Sequence, residues 1–132
     1  DKINLKLKER DEFMPFAPSV LSKYAKDIFE DFCDSFYMNH KFVVKKQWKK
    51  KIPAVVHIDG TARPNFVNED INKNYYNLIN KFYEKTSIPL VLNTSFNKHG
   101  LPIVETPKDA FDHLLWDCVE VLSIGPFICS KK

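Results

Sequence analysis

"INKNYYNLINKFYEKTSIPLVLNTSFNKHG", residues 71–100, decides the fold class. Its first half sets Ile71, Tyr75, Leu78, Ile79 and Phe82 three and four positions apart, the period of an amphipathic helix over 71–85. Its second half turns apolar without that period. Ile88-Pro89-Leu90-Val91-Leu92-Asn93 reads as a short buried strand. A helix that runs straight into a buried strand places the chain among α/β (or α+β) folds. The strand then stops at Asn93-Thr94-Ser95-Phe96-Asn97, hydroxyls and amides around one phenylalanine, and Gly100 follows.

Outward from this stretch the same mixture continues. "SKYAKDIFEDFC" puts Ala25, Ile28, Phe29 and Phe32 on one helical face, with Ser22 as its expected N-cap. "HKFVVKK" and "IPAVVHID" read as strands joined by the polar turn "QWKKK". "ARPNFV" reads as a third extended piece, with Pro64 at an edge or a bulge. On the other side, "TPKDAFDHLLW" is a helix capped by Thr106, with Pro107 at its first position and Asp109 at the positive end of its dipole. "VEVLSIG" and "FICS" close the chain as strands. All three glycines, Gly60, Gly100 and Gly125, fall in expected turns.

The 132 residues suffice for one domain with a real core, expected to span 1–132. Eleven Phe point to an aromatic-rich core. The formal net charge of +3 favours anionic ligands without demanding nucleic acid. The lysines of "VVKKQWKKK" read as a solvated face rather than a nucleic-acid patch. Cys33, Cys118 and Cys129 are odd in number and form no CxxC pair, so buried free thiols in a reducing cytosol are expected, not a zinc or redox site. No signal peptide is expected at the start of this sequence, and it holds no apolar run near the ~20 residues of a membrane span. A first residue other than Met leads to the expectation that the chain is a fragment of a longer protein, with a cytoplasmic location.

Three stretches carry the chemistry. The Asn-Thr-Ser-x-Asn sequence after the strand offers groups that donate hydrogen bonds without changing protonation, suited to phosphate, ribose or carbonyl oxygens. It also fits a turn that satisfies its own backbone. Near the start, Lys8 and Arg10 share one face of an extended segment, followed by the stiff Phe13-Met14-Pro15-Phe16-Ala17-Pro18. In "AVVHIDGTARP" a strand delivers His57 and Asp59, then a glycine turn, then Thr61 and Arg63. There His57 also fits a core histidine and Asp59 a turn former. Together the three describe an oxyanion pocket with no Ser–His–Asp or paired-carboxylate arrangement. Phosphoryl and adenylyl transfer depend on positioning and charge neutralisation, so such a site needs no nucleophile.

"FMPFAPSVL", "IPAVVHIDGTARP", "PLVLNTSFNKHGLPIVETPKDA" and "VLSIGPFI" together resemble the C-terminal domain of the O-carbamoyltransferases, the nodulation-factor and antibiotic carbamoyltransferases among them. The resemblance runs from about Lys8 to Phe127. It implies a YrdC-like twisted mixed sheet with packed helices, N-terminally truncated here, and a Kae1-like N-terminal domain absent from this chain. It further implies that the YrdC-like half makes carbamoyl-adenylate from carbamoyl phosphate and ATP with Mg²⁺. The Kae1-like partner domain, which holds a metal ion (iron), would then pass the carbamoyl group to a hydroxyl of a sugar or natural product. Lys8-Glu9-Arg10 matches the family's Lys-x-Arg motif and Ser95-Phe96-Asn97 its Ser-x-Asn motif. By this resemblance Lys8, Arg10 and Arg63 are the catalytic anion ligands, and His57, Thr94, Ser95 and Asn97 bind nucleotide and substrate. No residue of this chain is expected to bind a metal. The family's Arg before "PFAPS" is replaced by Met14. The rival readings are a non-catalytic docking module of the same family and, more weakly, a tRNA-related RNA-binding domain.

Overall fold

The computed structural model describes residues 3, 8, 16–33 and 36–131. The chain forms two compact units, residues 1–12 with 95–132 and residues 13–94. Helices and strands are mixed, as an α/β fold requires.

The 13–94 unit is built on β1 (Ala17–Leu21), in which Pro18, Ser19, Val20 and Leu21 are all buried. Side chains along a strand alternate between its faces, so burial of four consecutive residues demands cover on both faces. β4 (Asn65–Val67) runs parallel to β1, with Val20 opposite Phe66. β5 (Leu90–Asn93) runs antiparallel, with Val20 opposite Leu90. The result is a mixed three-stranded sheet in the order β4-β1-β5. The buried Ser19 hydroxyl accepts a long 3.5 Å bond from the Asn65 side-chain amide, because an unpaired hydroxyl at the sheet centre would be costly. A second pair, β2 (Phe42–Val43) with β3 (Thr61–Ala62), is antiparallel. Pro64 is fully buried and interrupts β3 and β4, consistent with its lack of a ladder donor.

The expected aromatic core is present. Phe29, Phe32, Phe42 and Phe66 pack ring against ring, with centroids from 5.1 Å (Phe32–Phe66) to 6.4 Å (Phe32–Phe42).

Several local expectations change. The helix drawn from "SKYAKDIFEDFC" is one 3₁₀ turn, Ser22–Tyr24, and one α turn, α1 (Ala25–Ile28). Phe29 is already extended and bridges Val44. Tertiary burial of the phenylalanines has overridden helical periodicity. Leu21, not Ser22, caps that turn. The turn at "QWKKK" is a short helix, α2 (Lys46–Lys49). The strand expected at "IPAVVHID" is a 3₁₀ turn, Pro53–Val55, followed by a tight turn. Cys33 is exposed rather than buried.

The long helix α3 (Lys73–Thr86) forms as expected, but its buried stripe is rotated. Ile79 is fully buried and packs with Leu21 and Val67, flanked by Tyr75, Tyr76 and Tyr83. Leu78, Ile71 and Phe82 are exposed. Partly buried tyrosines cover the sheet with their rings and keep their hydroxyls near water, so they outcompete the aliphatic face. Asn72 caps the helix by accepting from the Tyr75 amide at 3.1 Å.

The other unit holds α4 (Pro107–Leu115) and the hairpin β6 (Val121–Ile124) with β7 (Phe127–Ser130). α4 begins with a capping box. The Thr106 hydroxyl accepts from the Asp109 amide and the Asp109 carboxylate accepts from the Thr106 amide. Ala110 and Leu114 of α4 pack on Leu122 of β6, with Phe96 and Val104 against them. Among the described residues no helix is long and apolar enough to cross a membrane.

The rotated α3 stripe gives a direct test. Ile79→Ala should cost about 2–5 kcal/mol, the usual range for a fully buried aliphatic side chain. Leu78→Ala, at a position 58% exposed, should cost less than about 1 kcal/mol. Chemical denaturation of both variants checks this, and equal losses would mean that the helix buries the face its aliphatic residues first indicate.

Candidate functional site

The 95–104 loop follows β5 and is closed on itself. Val104 N–H donates to Phe96 C=O at 2.9 Å and Leu101 N–H to Lys98 C=O at 3.1 Å. Gly100, at φ +78°, completes the second of these turns in a region that a side chain would disfavour. The Phe96 side chain packs into the α4–hairpin core and meets the His113 ring edge-on at 5.3 Å. Ser95 is exposed and Asn97 half-buried. Phe96 is thus anchored in the core while the residues on either side of it carry the polar groups.

Lys8 joins this loop from the far end of the sequence. Its side chain is buried, at 2% exposure. Its ammonium lies 2.7 Å from Ser95 C=O, 2.9 Å from Ser95 Oγ, 3.0 Å from Asn97 C=O and 2.6 Å from Asn97 Oδ1. Ser95 Oγ donates to Asn97 Oδ1 at 2.6 Å. The Asn97 amide nitrogen donates to Leu101 C=O at 2.8 Å and to Lys98 C=O at 3.3 Å. The loop is therefore a turn that satisfies its own polar groups and surrounds the Lys8 ammonium with oxygens. An ammonium has three protons, and four oxygens among the described residues lie within hydrogen-bond reach of this one.

A buried histidine that the sequence reading passed over holds the other end of the loop. His113, 3% exposed, receives the Lys98 N–H on Nε2 at 2.9 Å, and its Nδ1 lies 2.7 Å from Asp109 C=O. A backbone amide can only donate, so Nε2 is the acceptor and Nδ1 carries the proton. The signal was present in the sequence, since Ala110, His113 and Leu114 share one helical stripe. A polar residue on that stripe needs partners.

The "HIDGTAR" stretch lies on the 13–94 unit as a tight turn. Gly60 N–H donates to His57 C=O at 2.9 Å and His57 N–H to Thr61 C=O at 2.7 Å. Asp59 is the clasp. Its Oδ1 accepts from Thr61 Oγ1 at 2.6 Å and Thr61 N–H at 3.0 Å, and its Oδ2 pairs with Lys41 at 3.2 Å. The Thr61 hydroxyl, then the Thr61 amide, then Lys41 hold its carboxyl well below the usual carboxylate range. Half-buried His57 has Nδ1 3.4 Å from Thr61 Oγ1. Arg63 is exposed, with no ion-pair partner among the described residues. Thr94 ends this unit, half-buried.

Of the expected site residues, the structure brings together Lys8, Ser95 and Asn97 on one unit. It places His57, Arg63 and Thr94 on the other. Arg10 and Met14 lie outside the described residues. Among the described residues no three His, Cys, Asp or Glu side chains gather as a metal site.

The family model described as "Carbamoyltransferase C-terminus" matches residues 1–131. Nodulation protein NolNO of Sinorhizobium fredii is 38% identical over 135 residues, covering 100% of this chain and 20% of the relative. Nodulation protein NolO of Bradyrhizobium diazoefficiens is 38% identical over 135 residues, with 100% and 25% covered. An uncharacterized protein of Methanocaldococcus jannaschii is 44% identical over 133 residues, with 100% and 22% covered. The chain belongs to the carbamoyltransferases, as their C-terminal part. It spans about a fifth to a quarter of the length of these curated relatives.

Two outcomes follow from the geometry. Asn97→Ala should cost about 1.5–3 kcal/mol, the range for hydrogen bonds to a charged group, because it removes a partner of buried Lys8 and two loop-closing bonds. Ser95→Ala, at an exposed hydroxyl, should cost less than about 1 kcal/mol. Urea denaturation compares the two, and indistinguishable midpoints would mean that Asn97 does not hold the loop.

For Asp59 the sign is that of a depressed acid. The clasp contributes fully above the unfolded aspartate value of about 3.9 and is lost as pH falls through the lower folded value. A ¹³C titration of the Asp59 carboxyl should show a midpoint below the ordinary aspartate range. A midpoint at the ordinary value would remove the Thr61 and Lys41 contacts from the account.

Proposed function

We propose that this chain is the carbamoyl-adenylate-forming part of an ATP-dependent O-carbamoyltransferase. The observation that carries the reading is the Lys8 ammonium set against Ser95 and Asn97. It joins the two motifs that the sequence offers as anion ligands from 87 and 89 positions apart. A buried cation beside an exposed hydroxyl is a fixed positive field that a phosphate can reach, and preorganised charge is what phosphoryl and adenylyl transfer require.

In this reading carbamoyl phosphate is first hydrolysed to carbamate and phosphate. A carbamate oxygen then attacks the α-phosphorus of ATP, the bond to the β-phosphate oxygen breaks, and pyrophosphate leaves. Lys8 and Arg10 hold phosphate oxygens. Ser95, Asn97 and Thr94 orient the triphosphate and the carbamoyl group by hydrogen bonds. Arg63 holds carbamoyl phosphate or carbamate, and His57 contacts the substrate. Mg²⁺ enters with ATP, since divalent magnesium is commonly held by substrate phosphates and few protein ligands. At the Kae1-like N-terminal domain of the full-length protein, which would hold its own metal ion (iron), a hydroxyl of a sugar or natural product attacks the carbamoyl carbon, the bond to the adenylate oxygen breaks, and AMP leaves. The location is cytoplasmic, where ATP is supplied.

The full-length protein should release pyrophosphate only when both ATP and carbamoyl phosphate are present. Lys8→Met, which keeps the chain length and removes the charge, should lower that rate at least tenfold, as loss of a hydrogen bond to a charged group does. A cooperative melt of the variant guards against simple unfolding. Pyrophosphate release at the unaltered rate from folded Lys8→Met would end the proposal for Lys8. Calorimetric silence of the folded wild-type protein toward both ligands would replace catalysis with a docking role.

A further inference from the structure

His113 makes one link that nothing in the carbamoyl-adenylate reading uses. Its Nε2 is the acceptor for Lys98 N–H, the residue immediately after Asn97. Its Nδ1 is tied to Asp109 C=O, and Asp109 is fixed by the capping box at the start of α4. The 95–100 loop is thus hydrogen-bonded to the helix through this imidazole, beside the packing of Phe96 on the same core. The ring is clamped by Phe96 and Trp116, each with its centroid 5.3 Å away. Cys118 N–H donates to the His113 carbonyl at 3.0 Å, which ties down the backbone of the same residue.

This link exists in one protonation state only. A neutral imidazole has one donor and one acceptor, and both are used here. An imidazolium has two donors and no acceptor. Protonation would leave two N–H groups facing each other where the Lys98 bond now is. The titratable groups that face the ring among the described residues are few. A groove of about 290 Å³ in front of His113 is lined by Glu105, Asp109 and Asp112, together with Leu101, Ile103 and Trp116. Asp109 is engaged by Thr106, and Asp112 by Lys108 at 2.7 Å. The loop supplies Lys98 by its backbone amide.

We propose that His113 is a positioning residue for the Ser95–Gly100 loop, holding the anion-binding geometry while its imidazole is neutral and releasing the loop on protonation. The consequence for ligands rests on the anion-site reading of Lys8, Ser95 and Asn97. The consequence for the loop does not.

The test uses the full-length protein, with His113→Leu, which has no acceptor, and His113→Gln, whose side-chain oxygen can accept but does not titrate. Hydrogen–deuterium exchange of peptides covering 95–100, corrected for intrinsic rates, is read at pH 8 and pH 5.5. ATP affinity is read by calorimetry at the same two values. Wild-type loop exchange should accelerate roughly three- to tenfold at the lower pH, the span of one neutral hydrogen bond. His113→Leu should show the faster exchange and a similarly weakened ATP affinity at both values. His113→Gln should restore protection and lose the pH dependence. Unchanged loop exchange in His113→Leu, or a pH dependence that persists in His113→Gln, would overturn the proposal. So would altered exchange with intact ATP affinity, since the ring would then hold the loop without positioning the site. Should His113→Leu fail to fold, the pH response of His113→Gln against wild type decides alone. A wild-type protein that does not bind ATP would remove the nucleotide reading and leave the exchange comparison to judge His113.

Discussion

A buried ammonium has to be surrounded by oxygen, and the geometry of this site follows from that requirement. Lys8 has lost nearly all its water, a large cost for a charge unless hydrogen bonds replace it. Ser95 and Asn97 supply a carbonyl and a side-chain oxygen each, at 2.6–3.0 Å. To present all four, the chain must turn tightly between them with Phe96 directed elsewhere. The α4–hairpin core provides the place for Phe96. The spacing Ser-x-Asn is thus the shortest that lets two polar residues meet one cation while the residue between them anchors the loop.

The rest of that unit serves the same loop. Thr106 and Asp109 start α4 at a fixed residue, and the first turns of α4 then set the height of His113. His113 in turn fixes Lys98. Loop position is passed from a helix cap through an imidazole to a backbone amide, by hydrogen bonds of 2.7–3.2 Å. On the other unit Asp59 does comparable work with different chemistry. One carboxylate accepts from the hydroxyl and the amide of Thr61, and the turn that ends at Arg63 closes around it. Both motifs are turns closed by their own hydrogen bonds.

Elements with local physical causes were legible in the sequence. The α4 cap needed only Thr106, Pro107 and Asp109, and the closing hairpin needed only two short apolar runs about Gly125. Elements decided by tertiary packing were not. "SKYAKDIFEDFC" has good helical periodicity, yet Phe29 and Phe32 bury more ring area by leaving the helix for the phenylalanine cluster. "IPAVVHID" alternates like a strand, but Asp59 captures Thr61 and folds the segment into a turn. On α3 the apolar positions Leu78 and Phe82 misled, since the tyrosines cover the sheet instead. At the site, Lys8 with Ser95 and Asn97 was legible through family motifs. For His113 the helical stripe shared with Ala110 and Leu114 announced a buried polar side chain, but not its partner, a backbone amide of the loop.

The central claim is that the cation cradle of Lys8, Ser95 and Asn97 receives phosphate oxygens. A crystal structure of the full-length protein with carbamoyl phosphate and a non-hydrolysable ATP analogue tests it most directly. The account predicts a phosphate oxygen within hydrogen-bond reach of both Lys8 Nζ and Ser95 Oγ, replacing one of the four loop oxygens now around the ammonium. Nucleotide bound elsewhere, with all four Lys8 contacts intact, would contradict it and leave the cradle as a purely structural turn.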